Sequence, residues 1–144
     1  MIEIREMQLD DLEQVMVIEN DNFSRPWTET GFFTFLIRED ALFLAAEEDG
    51  KILGYCGVVM VQDEGDITNV AVAKERQNQG IGKLLVEKLI EKTQEAGVTQ
   101  LYLEVRASNE RAIHVYEKMG FVQNGRRKNY YEDPVEDGLL MKRG

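Results

Sequence analysis

The segment Arg76-Gln77-Asn78-Gln79-Gly80-Ile81-Gly82-Lys83 follows the apolar run Val70-Ala71-Val72 and opens a long amphipathic stretch. A glycine-rich turn at a helix start presents unpaired N–H groups and the positive end of the helix dipole, which suits an anion. Gly80 and Gly82 carry no Cβ, so a phosphate can approach the main chain closely, and Arg76 and Lys83 add positive charge. A Walker loop fails, because it needs Gly where Gln77 stands and Ser or Thr where Leu84 stands. A GxGxxG fingerprint fails at Leu85, which would have to be small. A pyrophosphate site of another kind survives, beside the plainer reading that the glycines only start a helix. In the alternating segment Leu101-Tyr102-Leu103-Glu104-Val105, Glu104 shares a face with Tyr102 and turns away from the leucines. By itself that is a solvated strand-end charge, the usual fate of Glu. Tyr116 by spacing alone packs beside Ala112, Ile113 and Met119. His114 reads as a lone, outward helical residue, and Cys56, inside an apolar strand without a nearby base, reads as core.

The elements that must carry these residues follow from periodicity. Ile2 and Ile4 alternate with charges as a first strand, and Asp10-Asp11 open a helix with Leu12, Val15, Met16 and Ile18 inward. Phe23-Ser24-Arg25-Pro26-Trp27 breaks it, since Pro26 disfavours helix at Arg25, and a short helix runs from about 28 to 38. Leu42 to Ala46 and Lys51 to Val61 form a hairpin across Asp49-Gly50. Asp63-Glu64-Gly65 turns the chain into the strand Asp66 to Val72. The long helix spans about 80 to 96, with Ile81, Leu84, Leu85, Leu89 and Ile90 on one stripe and Gly97 as its stop. A strand at 101–105, a helix from 109 to 119 and two last strands, Phe121-Val122 and Gly138 to Met141, complete the chain, with a charged, tyrosine-bearing loop between them. The order is β-α-α-β-β-β-α-β-α-β-β, an α/β sandwich.

The chain of 144 residues fits one domain spanning 1–144. Its net charge of −10 argues against a general nucleic-acid binder. Residues 1–64 hold 4 basic and 15 acidic side chains, whereas 65–144 hold 13 and 12, which suits a cationic partner on one side and an anionic one on the other. No apolar run approaches the roughly 20 residues that cross a bilayer, and the N-terminus lacks the basic and apolar regions of a signal peptide. One Cys and one His cannot build a zinc site, so a cytoplasmic, metal-free protein without membrane attachment is expected.

Gln77-x-x-Gly80-x-Gly82, placed between strand and helix, resembles the cofactor signature of the GNAT superfamily of acetyl-CoA-dependent N-acetyltransferases. Asn109 to Phe121 is similar to that superfamily's N-x-x-A-x-x-x-Y-x-x-x-G-F segment. More narrowly, Pro26-Trp27, Leu103 to Asn109 and Arg127-Lys128-Asn129-Tyr130-Tyr131 resemble the bacterial ribosomal-protein-alanine N-acetyltransferases, with Lys128 where that pattern expects Arg. The resemblance implies a GNAT fold: a mixed, mostly antiparallel, splayed sheet flanked by helices. It implies that acetyl-CoA lies between the strands ending near Val72 and Glu104. The thioester carbonyl would meet backbone N–H of Val70, Ala71 and Val72, and the pyrophosphate the amides of Asn78, Gln79, Gly80, Ile81, Gly82 and Lys83. Asn109 would touch the pantetheine.

It also assigns Glu104 as general base and Tyr116 as general acid, roles that chemistry supports. An α-amine with pKa near ~7.7–8.0 is mostly protonated at neutral pH, and a carboxylate can remove that proton directly or through one water. A thiol of pKa near ~8.5 leaves better with a donor beside it, and a phenol is such a donor. Trp27, Tyr130 and Tyr131 would line the entry for an acceptor, the N-terminal alanine of a small-subunit ribosomal protein. Two rivals stand beside this: a small-molecule acetyltransferase for a polyamine or amino sugar, and a non-catalytic acyl-CoA-binding module.

Overall fold

The structure is a computed structural model that describes all 144 residues. Seven strands form one sheet: β1 (Glu3–Glu6), β2 (Ala41–Glu48), β3 (Lys51–Val61), β4 (Glu64–Val72), β5 (Gln100–Arg106), β6 (Val122–Tyr131) and β7 (Glu136–Arg143). Four helices join them: α1 (Leu12–Asn22), α2 (Glu29–Leu36), α3 (Ile81–Glu95) and α4 (Glu110–Lys118). The spatial order β1-β2-β3-β4-β5-β7-β6 makes every pairing antiparallel except β4 with β5. This is the expected α/β class and element order.

Alternation along the strands builds a core on each face. Leu85, Val86 and Leu89 of α3 and Ile113 of α4 meet Leu53, Cys56, Val58, Leu101 and Leu103 on one side. On the other, Val15 and Ile18 of α1 and Phe32 of α2 meet Phe43, Tyr55 and Ala71. Phe43 lies flat over Gly57, where an added Cβ would stand 2.2 Å from its ring.

Three local expectations change. The turn after β3 is Gln62-Asp63, with Gln62 at φ 57°, so Glu64 and Gly65 already belong to β4. Leu84 is exposed and Val86 takes its place in the core, because the buried arc of α3 is set by contact with β3 and β4. The expected tyrosine-bearing loop is strand: β6 runs on through Arg127, Tyr130 and Tyr131. It is an edge strand exposed along nearly its whole length, so no apolar alternation announced it.

Candidate active site

The site begins where the sheet comes apart. Parallel strands β4 and β5 pair only at Glu64–Asp66 with Gln100–Tyr102, and beyond that they have no ladder between them. A bulge helps to bend β4 away: Gly57 of β3 faces Asn69 while Val58 faces Ile67, leaving Thr68 as the extra residue. The Ala73 N–H donates to Leu53 O on the β3 side, 2.8 Å. By alternation the N–H groups of Val70 and Val72 point the other way, into the gap, and that of Ala71 points to β3.

Beyond β4, Asn78 (φ 67°) and Gly80 (φ 82°) take left-handed conformations that curl the chain onto the start of α3. Gly80 is the N-cap and offers no side chain, so the first-turn amides at Ile81, Gly82 and Lys83 are uncapped. A Cβ at Gly80 would meet nothing within 4 Å, and one at Gly82 would meet only Val72 Cγ2 at 3.7 Å. Packing therefore does not require glycine at position 82, whereas close approach of a phosphate would. The side chains around this turn hold it in place. Gln77 Nε2 donates to Asn22 Oδ1 at 2.9 Å and to Val72 O at 3.1 Å. Arg76, expected to face the anion, is engaged by Glu48 at 3.2 Å and by Gln79 Oε1 at 2.9 Å. Lys83 remains exposed.

Glu104 lies on the opposite wall of the gap, on the face of β5 turned toward α1 and α2. Its Oε1 is 3.5 Å from Arg127 Nε, and its Oε2 is buried without a protein partner. Tyr130 and Tyr131 of β6 sit edge to face at 5.0 Å beside it, under Arg127 and Arg106 respectively. The Tyr130 phenol is raised, first by hydrogen bonding toward Glu104 and then by burial. The Tyr131 phenol is pushed up to about 12, first by burial and then by the Glu104 charge.

Tyr116 belongs to the other face. It packs against the α3-side core and edge to face with Phe121 at 5.9 Å, and burial pushes its phenol up to about 12. Glu104 and Tyr116 thus approach the parted strands from opposite sides. Asn109 caps α4, its Oδ1 accepting from Ala112 N–H at 3.3 Å.

Trp27 is half-buried and stacks on Phe35 at 4.8 Å, so much of its indole is spent on packing. The Trp27 main-chain N–H donates to Glu19 Oε2 at 2.9 Å, while the Tyr55 hydroxyl donates to Glu19 Oε1. Glu19, Asn69 and Arg127 are the site neighbours that spacing did not single out; Glu19, buried in an amphipathic helix, interrupts its apolar face and was the one detectable signal. Two surface concavities, of about 360 Å3 beside Thr93 and Leu101 and about 520 Å3 between Lys83 and Lys118, include neither Glu104 nor Asn69.

Comparison with known proteins follows the same lines. Residues 12–121 match the acetyltransferase (GNAT) family. A Bacillus subtilis protein, provisionally named a ribosomal protein bS18-alanine N-acetyltransferase, is 40% identical over 139 residues, covering 96% of this chain and 92% of its own. The crystal structure of the ribosomal-protein-S18-alanine N-acetyltransferase from Escherichia coli superposes with a TM-score of 0.92 at 36% identity, over 99% of this chain and 93% of that one. An N-acetyltransferase from Thermoplasma acidophilum in complex with coenzyme A shares the fold, with a TM-score of 0.82 at 19% identity over 99% of this chain and 98% of that one.

Proposed function

The chain belongs to the GNAT family of acetyltransferases, and on that footing we propose that it acetylates the N-terminal alanine of a small-subunit ribosomal protein by direct transfer. The observation that carries the reading is the gap beyond Asp66 and Tyr102, with outward N–H groups on one wall and Glu104 on the other. Acetyl-CoA supplies an activated acetyl group. The amides of Asn78 to Lys83, of which those in the first turn of α3 are uncapped, suit its pyrophosphate, and the N–H groups of Val70 and Val72 suit the thioester oxygen. Glu104 removes the proton that keeps an α-amine from attacking. Tyr116, protonated throughout the neutral range, hydrogen-bonds the departing sulfur. Its pKa lies above that of a thiol near ~8.5, so its contribution is a hydrogen bond in the transition state and solvent completes the protonation.

The acceptor would enter on the α1–α2 face, between the Phe23–Trp27 loop and Tyr130-Tyr131. The excess of acid over base in residues 1–64 favours a free amine followed by basic side chains. A ribosomal acceptor places the work in the cytoplasm. The presence of both Glu104 and Tyr116 speaks for catalysis over acyl-CoA binding alone, which needs neither.

The test is incubation with acetyl-CoA and three acceptors, followed by mass measurement: an Ala-starting basic peptide, the same peptide with a blocked N-terminus, and spermidine. The expected result is one acetyl group on the free peptide alone, reduced in Tyr131→Ala. Modified spermidine and an untouched peptide would establish the small-molecule rival.

A further inference from the structure

Only two buried side-chain polar atoms in the protein lack a protein partner, Asn69 Nδ2 and Glu104 Oε2. One is a donor and the other an acceptor. Asn69 stands on β4 just past the bulge, and Glu104 on β5 two residues past the last β4–β5 pair. Both side chains lie on the same face of the sheet. Asn69 is opposite Gly57, which is covered by Phe43, and is two residues from Ala71, both members of the α1–α2 core. Glu104 alternates with Leu103 and Val105, which belong to the other core. The remaining atom of each group is already engaged: Thr68 Oγ1 donates to Asn69 Oδ1 at 2.8 Å, and Arg127 Nε stands 3.5 Å from Glu104 Oε1, with the Tyr130 and Tyr131 phenols of β6 facing the same carboxylate.

A buried donor and a buried acceptor without partners each carry a desolvation cost unless something polar sits between them. A water lying between the parted strands would supply the missing partner of each. We infer that Asn69 is a positioning residue for the acid–base chemistry: Asn69 Nδ2 and Glu104 Oε2 together hold the water through which the acceptor amine loses its proton. The inference rests on the functional reading above. The water accepts a hydrogen bond from Asn69, donates one to Glu104, and keeps a lone pair for the substrate ammonium. In the step, the ammonium passes a proton to the water oxygen while the water passes one of its own to Glu104. The amine is left neutral, the water intact and Glu104 protonated, and Glu104 then releases its proton to solvent. Asn69 touches no reacting atom; it fixes where the water's lone pair points.

Wild type, Asn69→Leu and Asn69→Asp are compared with acetyl-CoA and the Ala-starting peptide from about pH 6 to about pH 10, a range that brackets the α-amine pKa. Leu keeps the volume and removes the donor; Asp keeps the shape and the Thr68 contact and replaces the donor by an acceptor. Each is expected to lower kcat at neutral pH by about tenfold or more, with the acidic limb of the profile displaced to higher pH and acetyl-CoA affinity unchanged. Combined with Glu104→Gln, Asn69→Leu should add no further loss, because the two groups serve one water. Wild-type rate and profile in either Asn69 variant, or losses that multiply in the double variant, would overturn the inference while leaving the functional reading in place. A wild type that leaves the peptide unmodified overturns that reading first, and this inference with it.

Discussion

Glu104 and Tyr116 are two groups whose surroundings differ as their proposed tasks do. Glu104 has one oxygen near Arg127 and one turned inward, whereas Tyr116 packs half-buried against apolar side chains, and burial holds its proton on. Glu104→Gln keeps the shape and removes the base, so turnover should fall most at neutral pH and recover partly as alkaline pH deprotonates the amine unaided. A wild-type pH–rate profile in Glu104→Gln removes Glu104 from the mechanism. Tyr116→Phe keeps the contact with Phe121 and should lower kcat by about tenfold or more with little change in cofactor affinity. Loss of acetyl-CoA binding in that variant would mean that the phenol holds the cofactor instead.

Among the elements, α3 starts without a side-chain cap, as the proposed pyrophosphate site requires. A helix of this length ordinarily gains about 0.5–2 kcal/mol from an N-cap side chain, and Gly80 supplies none. Gly82→Val should leave the fold intact, since an added Cβ meets only Val72 Cγ2 at 3.7 Å and valine is no poorer a helix former than glycine. Acetyl-CoA affinity measured by calorimetry should nevertheless drop by at least about tenfold, because a branched side chain stands where the phosphate approaches. Equal affinities for wild type and variant would move the pyrophosphate elsewhere. Gly57 makes the contrast: a Cβ there meets the Phe43 ring, so Gly57→Ala should destabilise the protein by about 1–3 kcal/mol through overpacking.

Across the whole molecule, a few polar contacts link segments far apart in sequence around the acceptor side. Arg25 of the α1–α2 loop reaches Asp133 at 2.9 Å and Glu132 at 2.7 Å in the β6–β7 turn, and Arg106 donates to Glu132 O and Pro134 O at 3.0 Å. Arg25 is 67% exposed, so these pairs contribute little stability but restrict how the two segments sit. Arg25→Ala should leave the melting temperature unchanged and raise the peptide KM by about threefold or more, through looser ordering of the entry; an unchanged KM would disconnect this strap from the acceptor. At the far edge of the sheet, Arg5 grips Asp11 with two hydrogen bonds, 2.8 and 2.9 Å, and Gln8 N–H adds a third at 2.7 Å. The Arg5 hydrogen bonds are the largest cause holding the Asp11 carboxyl below its ordinary range. Its folded pKa is thus lower than the unfolded value near ~3.9, so the stabilisation is complete above that value and is lost as pH falls through the folded pKa. Asp11→Asn should cost about 1–2 kcal/mol in denaturant unfolding at neutral pH and show a shallower decline below about pH 4.

Much of this was legible locally. The 3.6-residue period of Ile81, Leu85 and Leu89, the Asp49-Gly50 turn with φ of 51° and 82°, and the stops at Gly97 and Gly120 each record a short-range preference, and the elements form where those preferences lie. The glycine turn and the alternation that turns Glu104 away from the leucines were readable for the same reason. The course of β6 through Tyr131 was not, because an edge strand buries too little to impose a period on its residues. Nor was the gap itself. Where β4 and β5 part is decided by a bulge at Thr68 and by pairing between segments more than thirty residues apart, and neither leaves a local pattern. Amino-acid type settled what each residue can do; only the tertiary register, by burying Asn69 Nδ2 and Glu104 Oε2 on one face, decided which polar atoms are left without a protein partner.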